Sequence, residues 1–385
     1  MKTIKIFFGS LTLLVFFMTT INSAQNDELS KTKSFKVNKG GRLTVDVSPG
    51  AIRITTWSKE EVEIKVNGLD EEEFRKIEMT SDKNNVSVVY EEGWGSESDA
   101  EFEITVPFKF NLDLKTSAGE IQLMNDIDGD VKVATSGGDL SFKNISGELK
   151  AESSGGNISV LGNVDGVLNV TTMGGDITIG SIKGKSARVN TMGGEIIIDN
   201  CVSGVIAKTY GGDISVGNAG GNSEFETYGG NISVGKVTGN VSMETYGGNL
   251  DLKGANGKVI GKTNGGNIDF NNINGSVDAR TLAGEVSVEL NPAPNSESRI
   301  SSNAGSIELK VPSSAKTTIE ARVHVQGWWK NAKDEYKIHS DYEAQSYDTD
   351  DNKHEIVGTY VLNGGGSKIF LKAVNDEINI RRVSK

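Results

Sequence analysis

The stretch TYGGDISV, Thr209–Val216, recurs as TYGGNISV at Thr227–Val234 and as TYGGNLDL at Thr245–Leu252, eighteen residues later each time. The same corner returns in weaker form on both sides of it. Its second glycine falls at Gly119, Gly138, Gly156, Gly175, Gly194, Gly212, Gly230, Gly248, Gly266, Gly284 and Gly305. The interval stays at 18 or 19 residues until a last step of 21. A period held over so many units marks a repeat architecture, in which each unit packs only on its neighbours.

After each corner, apolar and polar residues alternate. Ile214 and Val216 flank Ser215, Ile232 and Val234 flank Ser233, and Ile268 and Phe270 flank Asp269. Period two predicts a strand with one buried face. About nine residues on, another glycine opens a second alternating run, as with Gly239 before Val241, Met243 and Thr245. Each unit thus reads strand, corner, strand, corner, and it cannot bury its apolar face alone. Stacking units in register predicts an all-β, single-chain parallel β-solenoid with irregular terminal caps, a rod of roughly 50 Å at ~4.8 Å per rung. At the corners the glycines are expected to supply φ > 0. The inward threonines are expected to satisfy one another as a hydroxyl ladder, and the Asp, Asn or Glu after the glycines to hold corner amides.

The chain begins with Lys2 and Lys5, an apolar run from Ile6 to Ile21, and the small-residue exit Asn22-Ser23-Ala24. That pattern predicts a signal peptide over residues 1–24 and export to the periplasm, cell surface or exterior. No second apolar span follows, so no integral membrane segment is expected after cleavage. The remaining organisation reads as an irregular β segment or cap over 25–112, regular repeats over 113–311, and a closing cap over 312–385. Within the first, VSPGAIRI (Val47–Ile54) aligns on TYGGDISV, and the acidic segment Asp70–Lys76 predicts a short helix. Within the last, AVNDEINI (Ala373–Ile380) recovers the corner, and the polar stretch at about 334–354 reads as a mobile loop.

Forty Lys and Arg against 52 Asp and Glu give a net charge of −12. Loss of Lys2 and Lys5 with the leader takes it to about −14. Such a chain repels nucleic acid and anionic lipid, which excludes both as expected partners. A single cysteine, Cys201, permits no internal disulfide.

This layout resembles the DUF4097 family, whose members are described as adhesins and β-strand-repeat proteins, many of them exported by bacteria. The resemblance rests on Gly41-Arg42-Leu43-Thr44-Val45, on Pro49–Ile54, on Val106–Leu123 leading into the repeats, on the GGD and GGN corners, and on the closing Glu377–Ile380. It covers nearly all of the chain after the leader. It implies a surface-binding role and brings no functional residues with it.

Chemistry is sparse along the sequence. The histidines, His324, His339 and His354, all fall in the closing cap, and no Cys/His cluster has metal-ligand spacing. No catalytic residues and no cofactor are expected. A polysaccharide-active enzyme is the third reading, because Asp176, Glu195 and Asp213 occupy one column after the glycines. The same column is a weak calcium candidate, since stacked carboxylates invite a cation. Tyr210, Tyr228 and Tyr246 are the strongest lead, as consecutive rungs would line them up into a ridge. Two readings stand: the rings cover the corners, or they bind, since aromatic faces suit sugar rings and apolar patches. The outward Ser/Thr column (Ser141, Ser159, Thr178, Ser215, Ser233, Ser287) forms a flat face. The leading expectation is an exported, non-catalytic solenoid that presents a repetitive face to a surface polysaccharide or protein, an adhesin. The alternative is a scaffold of the envelope or periplasm without a specific ligand.

Overall fold

The computed structural model describes residues 30–91, 100–326 and 336–383. The leader and Trp328-Trp329 lie outside the described residues. The chain is all-β, and the described strands form one mixed sheet. One short helix, Glu71–Phe74, interrupts it where the acidic segment predicted one. Asp70 caps that helix by accepting from the amides of Glu72 and Glu73, while its own amide donates to Glu73 Oε2.

In the repeats each strand pairs in parallel with its equivalents one repeat before and after, not with its sequence neighbour. Ile214–Ala219 lies between Ile196–Cys201 and Ile232–Val237 in unbroken register. Two interleaved ladders result. One carries the column Ile177, Ile196, Ile214, Ile232, Leu250, Ile268, Val286, Ile307, Ile378. The other carries Val170, Val189, Ala207, Phe225, Met243, Gly261, Ala279, Ile300, Leu371. All of the apolar members of both columns are buried in one continuous core. Sizes are matched across it. Gly261 stands where any side chain would run into the Phe270 ring of the facing ladder.

The purely parallel coil expected from the repeat needs correction at both ends, where the sheet becomes mixed. At the amino-terminal end Lys31–Lys36 runs antiparallel to Glu61–Asn67, which runs antiparallel to Glu101–Pro107. Glu78–Asp82 folds back antiparallel on Asn85–Glu91. At the other end Thr317–His324 pairs antiparallel with Glu355–Leu362, and that strand with Ser346–Asp350. These reversals place short, charged strands over the open ladder edges, which otherwise template pairing with other chains. The loop expected at about 334–354 is corrected with them. Ile338–Ser340 and Ser346–Asp350 are strands, and the Tyr342 hydroxyl donates to the Val311 carbonyl at 2.8 Å. Residues 334 and 335 of that stretch lie outside the described residues. The two outlying corner readings fit the ladders. Ile52 and Ile54 pair with Ile121 and Leu123, and Ile378 and Ile380 pair with Ile307 and Leu309.

The glycines serve a different purpose from the one expected. From Gly138 to Gly266 the second glycine of each corner is outside the left-handed region; only Gly119, Gly284 and Gly305 show φ of 133°, 153° and 140°. What every one of them shares is proximity. A Cβ on Gly248 would overlap the carbonyl of Gly230, and one on Gly230 would overlap that of Gly212. The contact runs back rung by rung to Gly119, which sits on Gly50 of the Pro49–Ile54 segment. The first glycine of each pair is less constrained: the nearest atom to a Cβ on Gly247 is at 3.4 Å, and on Gly193, Gly211 and Gly229 at 3.2, 3.1 and 3.2 Å.

Gly248→Ala is therefore expected to cost about 3 kcal/mol, since backbone lies in the way and cannot rotate aside. Gly247→Ala is expected to stay within about 1 kcal/mol of wild type. Denaturant melts of the two single variants check the difference.

Candidate functional site

The corners at Thr209, Thr227 and Thr245 bring the candidate residues together. Each threonine is buried. The hydroxyls do not bond to one another as expected. Thr209 Oγ1 donates to the Gly194 carbonyl, Thr227 Oγ1 to that of Gly212 and Thr245 Oγ1 to that of Gly230, each at 2.8 Å. The same oxygens accept from the amides of Gly212, Gly230 and Gly248. Each hydroxyl thus joins its own corner to the one before, which is why a polar residue sits on the inward side of the strand.

The residues after the glycines do hold corner amides, those of the following rung. Asp176 Oδ1 accepts from Glu195 N at 2.8 Å, and Asp213 Oδ1 from Asn231 N at 2.7 Å. Asn231 and Asn249 continue the series to Asn249 and Asn267. The calcium-candidate column Asp176, Glu195 and Asp213 therefore already has a bonding role in two of its members. Among the described residues no group of three or more Asp, Glu, His or Cys is placed to hold a metal ion. His324 and His339 lie beside Glu355 and Glu377 at 3.9 and 3.6 Å. Cys201 is buried, and that burial pushes its thiol above the usual range, so it is a packed side chain poorly suited to attack.

Between threonine and glycine stand the tyrosines. Tyr210, Tyr228 and Tyr246 are 57%, 42% and 50% exposed. Adjacent rings are stacked with centroids 4.9 and 4.8 Å apart and planes within 7°. The amides of Tyr228 and Tyr246 donate to the carbonyls of Tyr210 and Tyr228, so backbone pairing fixes the ring spacing. Two expectations meet here. The rings pack on one another and are also exposed. The binding chemistry changes, however. Both faces of Tyr228 are turned to its neighbours, and no sugar ring fits between them. What the stack offers outward is ring edges, which carry the positive end of the quadrupole, and hydroxyl donors. Met173 and Met192 extend the exposed edge over the two preceding rungs.

The phenols influence one another. Tyr228 titrates above the usual tyrosine range, chiefly because ionised Tyr246 and then Tyr210 would repel its own charge, with Glu226 and Glu244 adding to the effect. Tyr228 therefore stays a proton donor through neutral and mildly alkaline pH.

The outward Ser/Thr column is real but broken. Ile197 stands between Thr178 and Ser215, and Asp251 and Asp269 stand between Ser233 and Ser287. A second candidate escaped the sequence reading altogether. Arg280, Arg299, Arg322, Phe370 and Lys372 line one shallow cavity, though they come from strands far apart in the chain. Repeat alignment alone carries no signal for it.

With the geometry in place, the family model described as Toastrack DUF4097 matches residues 40–235 and again 203–342. Among solved structures, a "putative adhesin" from Bacteroides fragilis is 12% identical, covers 93% of this chain and 100% of its own, and has a TM-score of 0.24. A second "putative adhesin", from Parabacteroides distasonis, is 11% identical over 74% of this chain and 98% of its own, with a TM-score of 0.34. A "putative lipid binding protein" from the same organism is 13% identical over 93% and 98%, with a TM-score of 0.21. No curated protein matches the sequence.

Two outcomes follow from the corner geometry. Thr227→Val strands the Gly212 carbonyl and the Gly230 amide, so a thermal melt is expected to show a loss of about 1–3 kcal/mol, with Thr227→Ser closer to wild type. For the ridge, Tyr246→Phe removes the largest cause of the raised Tyr228 value. Ultraviolet titration of that variant is expected to show Tyr228 ionising at lower pH than in the parent. Since the fold favours the protonated phenol, whatever stability this adds is complete at neutral pH and is lost only as pH rises through the tyrosine range.

Proposed function

The chain belongs to the Toastrack DUF4097 family, and for this member we propose an exported, non-catalytic β-solenoid that presents its tyrosine edge to a surface polysaccharide or protein, as an adhesin does. The observation that carries this reading is the exposed Tyr210–Tyr228–Tyr246 stack, held in register by backbone bonds. Ordered aromatic side chains lose little entropy on binding, which favours them as contact residues. Ring edges and phenol donors at rung spacing suit a partner with a run of oxygen acceptors, which a glycan or an extended polypeptide supplies. The absence of catalysis belongs to the same proposal. The carboxylates of Asp176 and Asp213 are committed to backbone amides, and the Cys201 thiol is buried. Export follows from the leader pattern of residues 1–24. Among the described residues no helix is long and apolar enough to cross a membrane.

A second reading, an envelope or periplasmic scaffold with no specific ligand, is favoured by one observation. Stacked rings stabilise adjacent rungs by about 0.5–1.5 kcal/mol per pair without any partner.

Replacing Tyr210, Tyr228 and Tyr246 together by Ala is expected to abolish binding to envelope polysaccharide and to intact cells while the β circular dichroism persists. The triple Phe variant is expected to keep the stack and lose the part of binding that needs the hydroxyls. Unchanged binding by the folded triple Ala variant would remove the ridge from the proposal, and a protein that binds neither target in any form would leave the scaffold reading.

A further inference from the structure

Near the carboxy-terminal end, on the outer side of the ladder that carries the corner threonines, the order of strands departs from the order of the chain. Ile268–Thr281 is followed in space by Glu297–Ser302, then by Ser367–Val374, then by Thr317–His324. Register puts Asp278, Arg299, Phe370 and Glu320 in one outward row. The next outward row is Arg280, Ser301, Lys372 and Arg322. Around Phe370 the long side chains enclose a dish of about 300 Å³.

The lining of this dish holds more cations than acids, although each arginine has a carboxylate partner. The whole chain carries −12, yet four of the lining side chains are cations and only Glu320 is an acid. The guanidinium groups are also anchored. Arg280 donates through Nε and Nη2 to Asp278 at 2.8 and 3.1 Å, and Arg322 reaches Glu355 at 3.2 Å as well as Glu320. Arg299 pairs with Glu297 and lies 5.9 Å from the centre of the Phe370 ring. Asp278, Glu297 and Glu355 stand outside the lining and Glu320 within it. Asp278 takes the Nε and Nη2 side of Arg280 and Glu320 that of Arg322, so these acids fix the guanidinium groups and a ligand meets the N–H groups left over. Held forks of this kind suit planar oxyanions. The half-buried ring between them suits the apolar face of a sugar, which the closed tyrosine stack does not.

We infer that this dish is a binding site for an acidic sugar residue of an anionic polysaccharide, with Arg280, Arg299, Arg322 and Lys372 taking the oxyanion and Phe370 the ring. The site is separate from the tyrosine edge and does not depend on it. The surrounding negative charge works against loose attraction of polyanions, so binding here is local and specific.

Titration calorimetry of the chain without its leader, at low and moderate salt, tests the inference with four probes: oligogalacturonate, a heparin-derived hexasaccharide, neutral maltohexaose, and vesicles containing anionic phospholipid. Saturable, salt-weakened binding of one or both acidic oligosaccharides is expected, and the comparison of the two separates carboxylate from sulfate recognition. Arg299→Gln with Lys372→Gln is expected to weaken it roughly tenfold or more, the order of lost charge-assisted hydrogen bonds. Phe370→Leu is expected to weaken it while leaving the melt near wild type. The triple Tyr→Ala variant is expected to bind the acidic probes as the parent does. Failure of both acidic probes to bind, binding that ignores the Arg299, Lys372 and Phe370 changes, equal binding of maltohexaose, or binding of vesicles alone would each overturn it.

Discussion

From Gly50 to Gly305 the chain passes one corner again and again, and each time the carbonyl of one glycine lies against the α-carbon of the next. No Cβ fits at these positions. Close approach of backbone, rather than an unusual dihedral, sets the path of the chain there, and it brings neighbouring rungs near enough for two further bonds. The threonine hydroxyl spans from its own corner to the glycine carbonyl one rung back, and the Asp or Asn oxygen caps the amide one rung on. Each device reaches one repeat away. The register of the core columns depends on all three agreeing.

A ladder in such strict register repeats whatever its outward residues are. Three tyrosines at one position become a stack with nearly parallel rings, and their hydroxyls become a row of donors. Where the strand order is instead rearranged, the outward rows mix residues that repeat alignment would never pair. The ring of cations about Phe370 arises in this way. The molecule thus carries two kinds of surface. One is a periodic row of hydroxyl donors; the other is a single dish of carboxylate-paired arginines and Lys372 about one ring.

Much of this was legible in the sequence because the signal was repeated many times. Period-two alternation placed Ile214, Ile232 and Ile268 in the core and Thr209, Thr227 and Thr245 on the inward side, and the outlying Pro49–Ile54 and Ala373–Ile380 segments aligned as rungs. The physical cause of the glycines was not legible, since a residue chosen for dihedral freedom and one chosen for lack of bulk look the same. Nor were the threonine partners, because an inward hydroxyl does not reveal which oxygen lies opposite. Ser346–Asp350 reads as loop because an edge strand exposed on both faces has no apolar alternation to show. The dish was hidden for a different reason. Arg280 and Lys372 are 92 residues apart, and only the insertion of Ser367–Val374 beside Glu297–Ser302 brings them together.

The most direct measurement of the central claim is the stability of deletion variants that shorten the ladder. Removing residues 228–245, eighteen in all, joins Thr227 to Tyr246 and restores the corner sequence unchanged. Stacking in register requires that this variant fold cooperatively with the same β circular dichroism and a melt close to the parent. Removing 228–244, one residue fewer, should turn every following side chain to the wrong face and prevent folding. Equal behaviour of the two deletions, both folded or both unfolded, would contradict the account.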